Sequence, residues 1–89
     1  MDLRAVVGLN VQRIRRERAL SQEELSFRSG FTRAYLSGLE AGRRNPTLLS
    51  MAKIASALSV TLEDLIRLPE KAPDDEPKRR RGRGSALQQ

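Results

Sequence analysis

One stretch, SQEELSFRSGFTRAYLSGLEAG from Ser21 to Gly42, leaves a chain of this length few ways to fold. The Ser21 hydroxyl is placed to cap a helix, and Glu24, three residues on, can return a bond to the Ser21 backbone as a capping box. Leu20 and Leu25 are spaced as a hydrophobic staple over the same start. The pattern predicts a helix over Gln22 to Ser29. Gly30 then offers a left-handed residue to end it, Thr32 can cap a second helix, and Phe31 can staple to Leu36. That second helix is expected to run from Arg33 to Ala41 and to stop at Gly42. Two such short helices need further elements of the chain to bury their apolar residues.

The flanking sequence supplies them. Leu3, Val7, Val11 and Ile14 recur at helical spacing and predict a first helix from Leu3 to Arg18, with Arg15 beside the stripe. Gly8 lowers helix propensity by up to about 1 kcal/mol relative to alanine, so the first turn is expected to fray. After RRNP, Thr47 caps a fourth helix whose Leu48, Met51, Ile54, Ala55 and Leu58 share one face. Thr61 opens a short fifth helix, with Val60 and Leu65 as its staple and Asp64 at the third position, ending near Leu68. There is no strand-like alternation of useful length and no internal repeat. The expected fold is all-α, a compact five-helix domain over 1–68.

From Pro69 onward the chemistry changes. Pro69, Pro73 and Pro77 punctuate a segment with almost nothing apolar until Ala86 and Leu87, so 69–89 is expected to be a disordered tail, acidic and then basic. The body, about 68 residues, is near the lower limit at which one core suffices, which makes a second subunit plausible.

Charge narrows the partner. Lys plus Arg total 17 against 11 Asp plus Glu, a net +6, and every cation but Lys53, Lys71 and Lys78 is arginine. Arginine carries the planar fork that suits phosphates and base edges. With no Cys and no His, thiol and imidazole catalysis, disulfides and the usual zinc ligands are excluded. The body also shows no paired carboxylates at catalytic spacing and no phosphate-cradling glycine loop. The chain reads as no enzyme, with no metal and no cofactor. The N-terminal MDLRAVVGLN offers no cleavage site, and no run of about 18 apolar residues occurs, so the expectation is a cytoplasmic protein without a membrane segment.

With Leu36 and Leu39 turned inward above Phe31, the opposite stripe of the second motif helix is Arg33, Ala34, Ser37, Gly38 and Ala41. That stripe has no bulk. A helix seats deeply in the major groove only if its outer side chains leave room, and here Arg33 supplies a donor fork for guanine, Ser37 a hydroxyl, and Ala34 a methyl for thymine. Small residues also suit tight packing against another helix, and on the sequence alone that reading stays open.

The same residues, with RIRRERALSQEEL before them and RRNPTLLSMAKIASALSV after, resemble the helix-turn-helix (XRE) family of phage Cro and CI repressors over roughly residues 6 to 68. The resemblance implies a lambda-repressor-like DNA-binding domain. It implies that Thr32, Arg33, Ala34, Tyr35, Ser37 and Gly38 face bases, and that Gln22, Ala41, Arg43 and Arg44 lie at the phosphate backbone. It also implies that Arg15 and Glu40 pair inside the domain, and that a homodimer forms through Val60, Leu62, Leu65 and Ile66. Within that last set Val60 and Leu65 also suit the core, while Leu62 and Ile66 suit an interface better. Two positions depart from the family pattern. Ser26 stands where alanine is usual, and Phe27 stands where a polar residue is common, either covering a rim or meeting a partner.

The implied function is a transcriptional regulator, a repressor or autoregulatory controller, that binds a palindromic operator in double-stranded DNA as a dimer. The alternative is an antitoxin-like interaction module that binds a partner protein and regulates its own operon. The basic run Lys78 to Gly84 admits a minor-groove arm, an electrostatic tether or a solubilising end, and the tether is favoured.

Overall fold

The computed structural model describes residues 2–69. Within them lie five helices, α1 (Leu3–Glu17), α2 (Gln22–Ser29), α3 (Arg33–Glu40), α4 (Leu48–Leu58) and α5 (Leu62–Ile66). The expected tail, beyond Pro69, lies outside the described residues.

Each helix begins at a residue whose side chain accepts from a first-turn backbone N–H, with Ser21, Thr32, Thr47 and Thr61 serving α2 to α5. Two of these are full capping boxes, Ser21 with Glu24 and Thr61 with Asp64. Asp2 caps α1, a role the sequence reading did not assign, by accepting from the Arg4 backbone. Gly30 ends α2 at φ 82°, where a side chain would be strained.

The core is made where α1 packs on α3 and α5, and α2 packs on α3 and α4. Val11, Leu25, Leu36, Leu39, Ile54, Leu58 and Leu65 are fully buried at its centre, and Phe31, Tyr35, Val60 and Leu62 pack against it half-buried. Phe31 is therefore a border of the core and not its interior.

Four expectations change. Leu3 and Leu48 lie on the apolar stripes of α1 and α4 but stand 62% and 71% exposed, because each is at the first residue of its helix, beyond the reach of the packing partners. Gly8 does not fray α1. It is buried, and a methyl group placed on it would stand 2.3 Å from the Leu39 carbonyl oxygen and 2.8 Å from that of Glu40. The helix accepts a glycine because the end of α3 lies directly on it. Finally, α5 stops at Ile66, two residues short of the expected end, with Arg67 extended. Pro69 disfavours helical geometry at Leu68, and the buried Asn10 amide donates to the carbonyls of both Leu65 and Arg67 at 2.9 Å, holding the chain as it leaves the helix.

Candidate nucleic-acid interface

The surface around α3 is assembled by two anchors, one at each end. At the N-terminal end the turn is held by Ser26, whose hydroxyl donates to the Phe31 carbonyl at 2.5 Å. This explains how serine sits at that position: its polar group is satisfied across the turn. The Phe31 ring stacks on Tyr35, with centroids 4.9 Å apart and 25° between planes, so the first turn of α3 is pinned by an aromatic pair.

At the C-terminal end α3 closes with Gly42 in the left-handed region at φ 78°. The Gly42 N–H donates to the Leu39 carbonyl at 3.0 Å and the Arg43 N–H to the Gly38 carbonyl at 2.9 Å, the paired bonds of a Schellman turn. A side chain at Gly42 would also stand 3.2 Å from the Cα of Ala5 on α1. The chain is thereby sent back along α3 in a fixed direction, carrying Arg43 and Arg44.

Beneath lies a buried charge pair. Arg15 Nε and Nη2 donate to the two carboxylate oxygens of Glu40 at 2.7 and 3.0 Å, and Nη1 donates to the Leu20 carbonyl at 2.7 Å. The Glu40 side chain is 3% exposed. Its hydrogen bonds raise the Arg15 pKa above the ordinary value against the opposing effect of burial, so Arg15 stays charged. The Gln22 amide joins the same carboxylate, donating to Glu40 at 3.1 Å. The one acid of α3 is thus neutralised and put to structural use.

On the outward side Arg33, Ala34, Ser37 and Ala41 are all exposed, and Thr32 is exposed while capping the helix through Tyr35 N–H at 3.0 Å. Arg43 and Arg44 are exposed at the flank. Gly38 differs from the expected open position: it lies on the outward stripe yet is buried, because the Arg44 side chain lies across it. The Arg44 guanidinium carbon stands 5.5 Å from the Tyr35 ring centroid. Phe27 is 80% exposed and covers no rim.

Of the residues expected at a subunit interface, Leu65 is fully buried and so unavailable, its side chain closing the core between α1 and α4. Val60 and Leu62 pack half-buried on that core, and Ile66 is 46% exposed. Part of the exposed apolar surface, Leu3, Leu48, Ile66 and Leu68, lines a groove floored by the buried Met51 and bordered by Pro46, while Leu9, Phe27 and Leu49 are exposed elsewhere. Leu3, Leu48 and Leu68 were not assigned to an interface on sequence, since a helical stripe reveals common direction and not which end is left uncovered.

Among the described residues no cluster of His, Cys, Asp or Glu could hold a metal ion, and no helix is long and apolar enough to cross a membrane.

Comparison with known proteins identifies this arrangement. A family model described as helix-turn-helix matches residues 11–65. The uncharacterized HTH-type transcriptional regulator y4dJ of Sinorhizobium fredii is 48% identical over 73 residues, covering 82% of this chain and 95% of that protein. Among solved structures, a hypothetical transcription factor from Neisseria superposes with a TM-score of 0.73 at 40% identity, over 76% of this chain and 78% of that one. The restriction-modification controller protein C.AhdI of Aeromonas hydrophila gives 0.68 at 37% identity, over 70% and 94%.

Proposed function

The chain belongs to the helix-turn-helix family, and from that premise we propose that it is a sequence-specific regulator of transcription that inserts α3 into the major groove of double-stranded DNA. Its named relatives are transcriptional regulators and a restriction-modification controller, not enzymes. The observation that carries the reading is the outward face of α3: exposed Arg33, Ala34, Ser37 and Ala41, flanked by Arg43 and Arg44, with Glu40, the only acid in α3, turned into the buried pair. Small side chains admit the helix to the groove, and Arg33 and Ser37 bring donors to base edges. Arg43 meets phosphate. So does the start of α2, where backbone N–H groups at the positive helix end face the backbone while the Gln22 amide is held by Glu40.

One reading head spans only a few base pairs, so two are needed for an operator, and a second copy docks in the groove of Leu48, Ile66 and Leu68. The operator is then a palindrome with half-sites about 34–36 Å apart, the spacing the phage repressors exemplify. The basic run from Lys78 to Gly84 serves as an electrostatic tether to nearby phosphates.

Selection of bound sequences from random duplex DNA, with mass measurement of the complex, tests this reading. Enrichment of a two-fold symmetric site carrying two protein copies is expected. A protein that enriches no sequence, or that is recovered only with a second kind of chain, would turn the assignment to the antitoxin-like alternative.

A further inference from the structure

The small-residue stripe of α3 leaves Arg33 as its one long donor, yet a second guanidinium lies against the Gly38 edge of that stripe, beside Tyr35. The Schellman turn binds Arg43 N–H to the Gly38 carbonyl, so Arg44 sets out from beside Gly38. A methyl group on Gly38 would stand 3.0 Å from Arg44 Nε and 3.2 Å from Arg44 Cγ, so the glycine is the space the arginine occupies. One turn toward the N-terminus, Tyr35 receives the guanidinium at 5.5 Å, and Tyr35 is itself fixed by stacking on Phe31. Gly38 is costly within a helix, by up to about 1 kcal/mol against alanine, and groove clearance does not require it, since Ala34 and Ala41 clear the same face with a methyl group.

We propose that Gly38 and Tyr35 form a seat holding Arg44 on the reading face of α3, which makes Arg44 a specificity-determining residue and Gly38 its positioning residue. The seat exists before DNA arrives, so the long side chain reaches the groove with part of its freedom already removed. Arg44 thereby differs from its neighbour Arg43, which stays at the phosphate flank. The proposal rests on the DNA-reading assignment above.

The experiment compares the full-length protein with Gly38→Ala, Arg44→Ala and the double variant. Neither change removes a core side chain, and Gly38→Ala favours the helix, so all three should fold with helical content retained. In the free proteins, NMR resonances of the Tyr35 ring, the single tyrosine, should move alike in both single variants. On the operator selected from random DNA, each single variant should lose about tenfold or more in affinity relative to a scrambled duplex, and the double variant should lose no more than Arg44→Ala alone. Losses that multiply would show that Gly38 acts through groove clearance and would overturn the seat. An unmoved Tyr35 ring or full operator affinity in Gly38→Ala would overturn it as well. A wild-type protein that enriches no operator, with the Tyr35 shifts intact, would instead locate the failure in the DNA-reading assignment.

Discussion

Arg15 and Glu40, twenty-five positions apart, are joined by two buried hydrogen bonds of 2.7 and 3.0 Å, and through them α1 is fastened to the last turn of α3. Removing one partner leaves the other charge buried and unpaired. Glu40→Ala should therefore destabilise the fold by about 3–5 kcal/mol, read from urea unfolding. It should also free the Gln22 amide and so weaken DNA binding by variants that remain folded at low temperature. A midpoint unchanged from wild type would contradict the buried pair.

Gly8→Ala separates helix propensity from packing. Propensity alone favours alanine by up to about 1 kcal/mol. The carbonyl oxygens of Leu39 and Glu40, at 2.3 and 2.8 Å from the added methyl, belong to backbone and cannot swing aside. A net loss of about 1–3 kcal/mol is expected in thermal denaturation, as for overpacking elsewhere. A stabilised Gly8→Ala protein would show that α1 and α3 do not meet so closely.

Arg33→Ala should cost about 1–3 kcal/mol of specific binding and relax selectivity at one position per half-site, because a guanine loses its bidentate partner. Competition titrations with single-base operator variants measure this directly. If affinity falls equally on all sequences, Arg33 contacts phosphate alone.

Acid stability follows from the caps. The Ser21 backbone N–H donates to Glu24 at 2.8 Å and that of Thr61 to Asp64 at 3.0 Å, which holds both carboxyls below their ordinary values of 4.5 and 3.8. The Arg4 side chain does the same for Asp2. A carboxyl whose pKa is lower in the folded state stabilises it above the unfolded value, and that contribution is lost as pH falls through the folded value. The melting temperature should hold steady from neutral pH down to about 5 and then decline, first as pH falls below 4.5 and Glu24 begins to lose its advantage, and then below 3.8 through Asp2 and Asp64. Glu24→Gln should flatten the upper part of that decline. A fall already under way at neutral pH would point to a different titrating group.

Leu48→Asp combined with Ile66→Asp places charge in the apolar groove without touching the fully buried core. Sedimentation should show a species of half the mass with helical content retained. A wild-type mass that is already that of one chain, or a double variant that keeps the larger mass, would remove this groove as the docking face.

The helix starts were legible because capping is local. A hydroxyl and an acid three residues apart declare their bond within one turn of chain at Ser21 and Glu24 and at Thr61 and Asp64, and Thr32 and Thr47 cap with the hydroxyl alone. The direction of α3 was legible for a similar reason, since Leu36 and Leu39 share a stripe. What escaped depends on distant chain. Nothing near Gly8 announces the carbonyls of Leu39 and Glu40, nothing near Asn10 announces the end of α5, and periodicity leaves Leu3 and Leu48 on their stripes although no helix covers them. Gly38 escaped because its cover is a loop arginine, whose path is set by the left-handed turn at Gly42.

In α3 the buried Leu36, Leu39 and Glu40 are separate from the exposed Arg33, Ala34, Ser37 and Ala41. Such a helix can change its vocabulary without weakening its scaffold. On the proposed reading, descendants of this chain can acquire new operators by exchanging those outer side chains, one or two at a time, with little cost in folding. Position 38 is the exception, since a methyl group there would stand 3.0 Å from Arg44 Nε and the arginine would have to shift, so on the proposed reading a change at that position is felt at two side chains together.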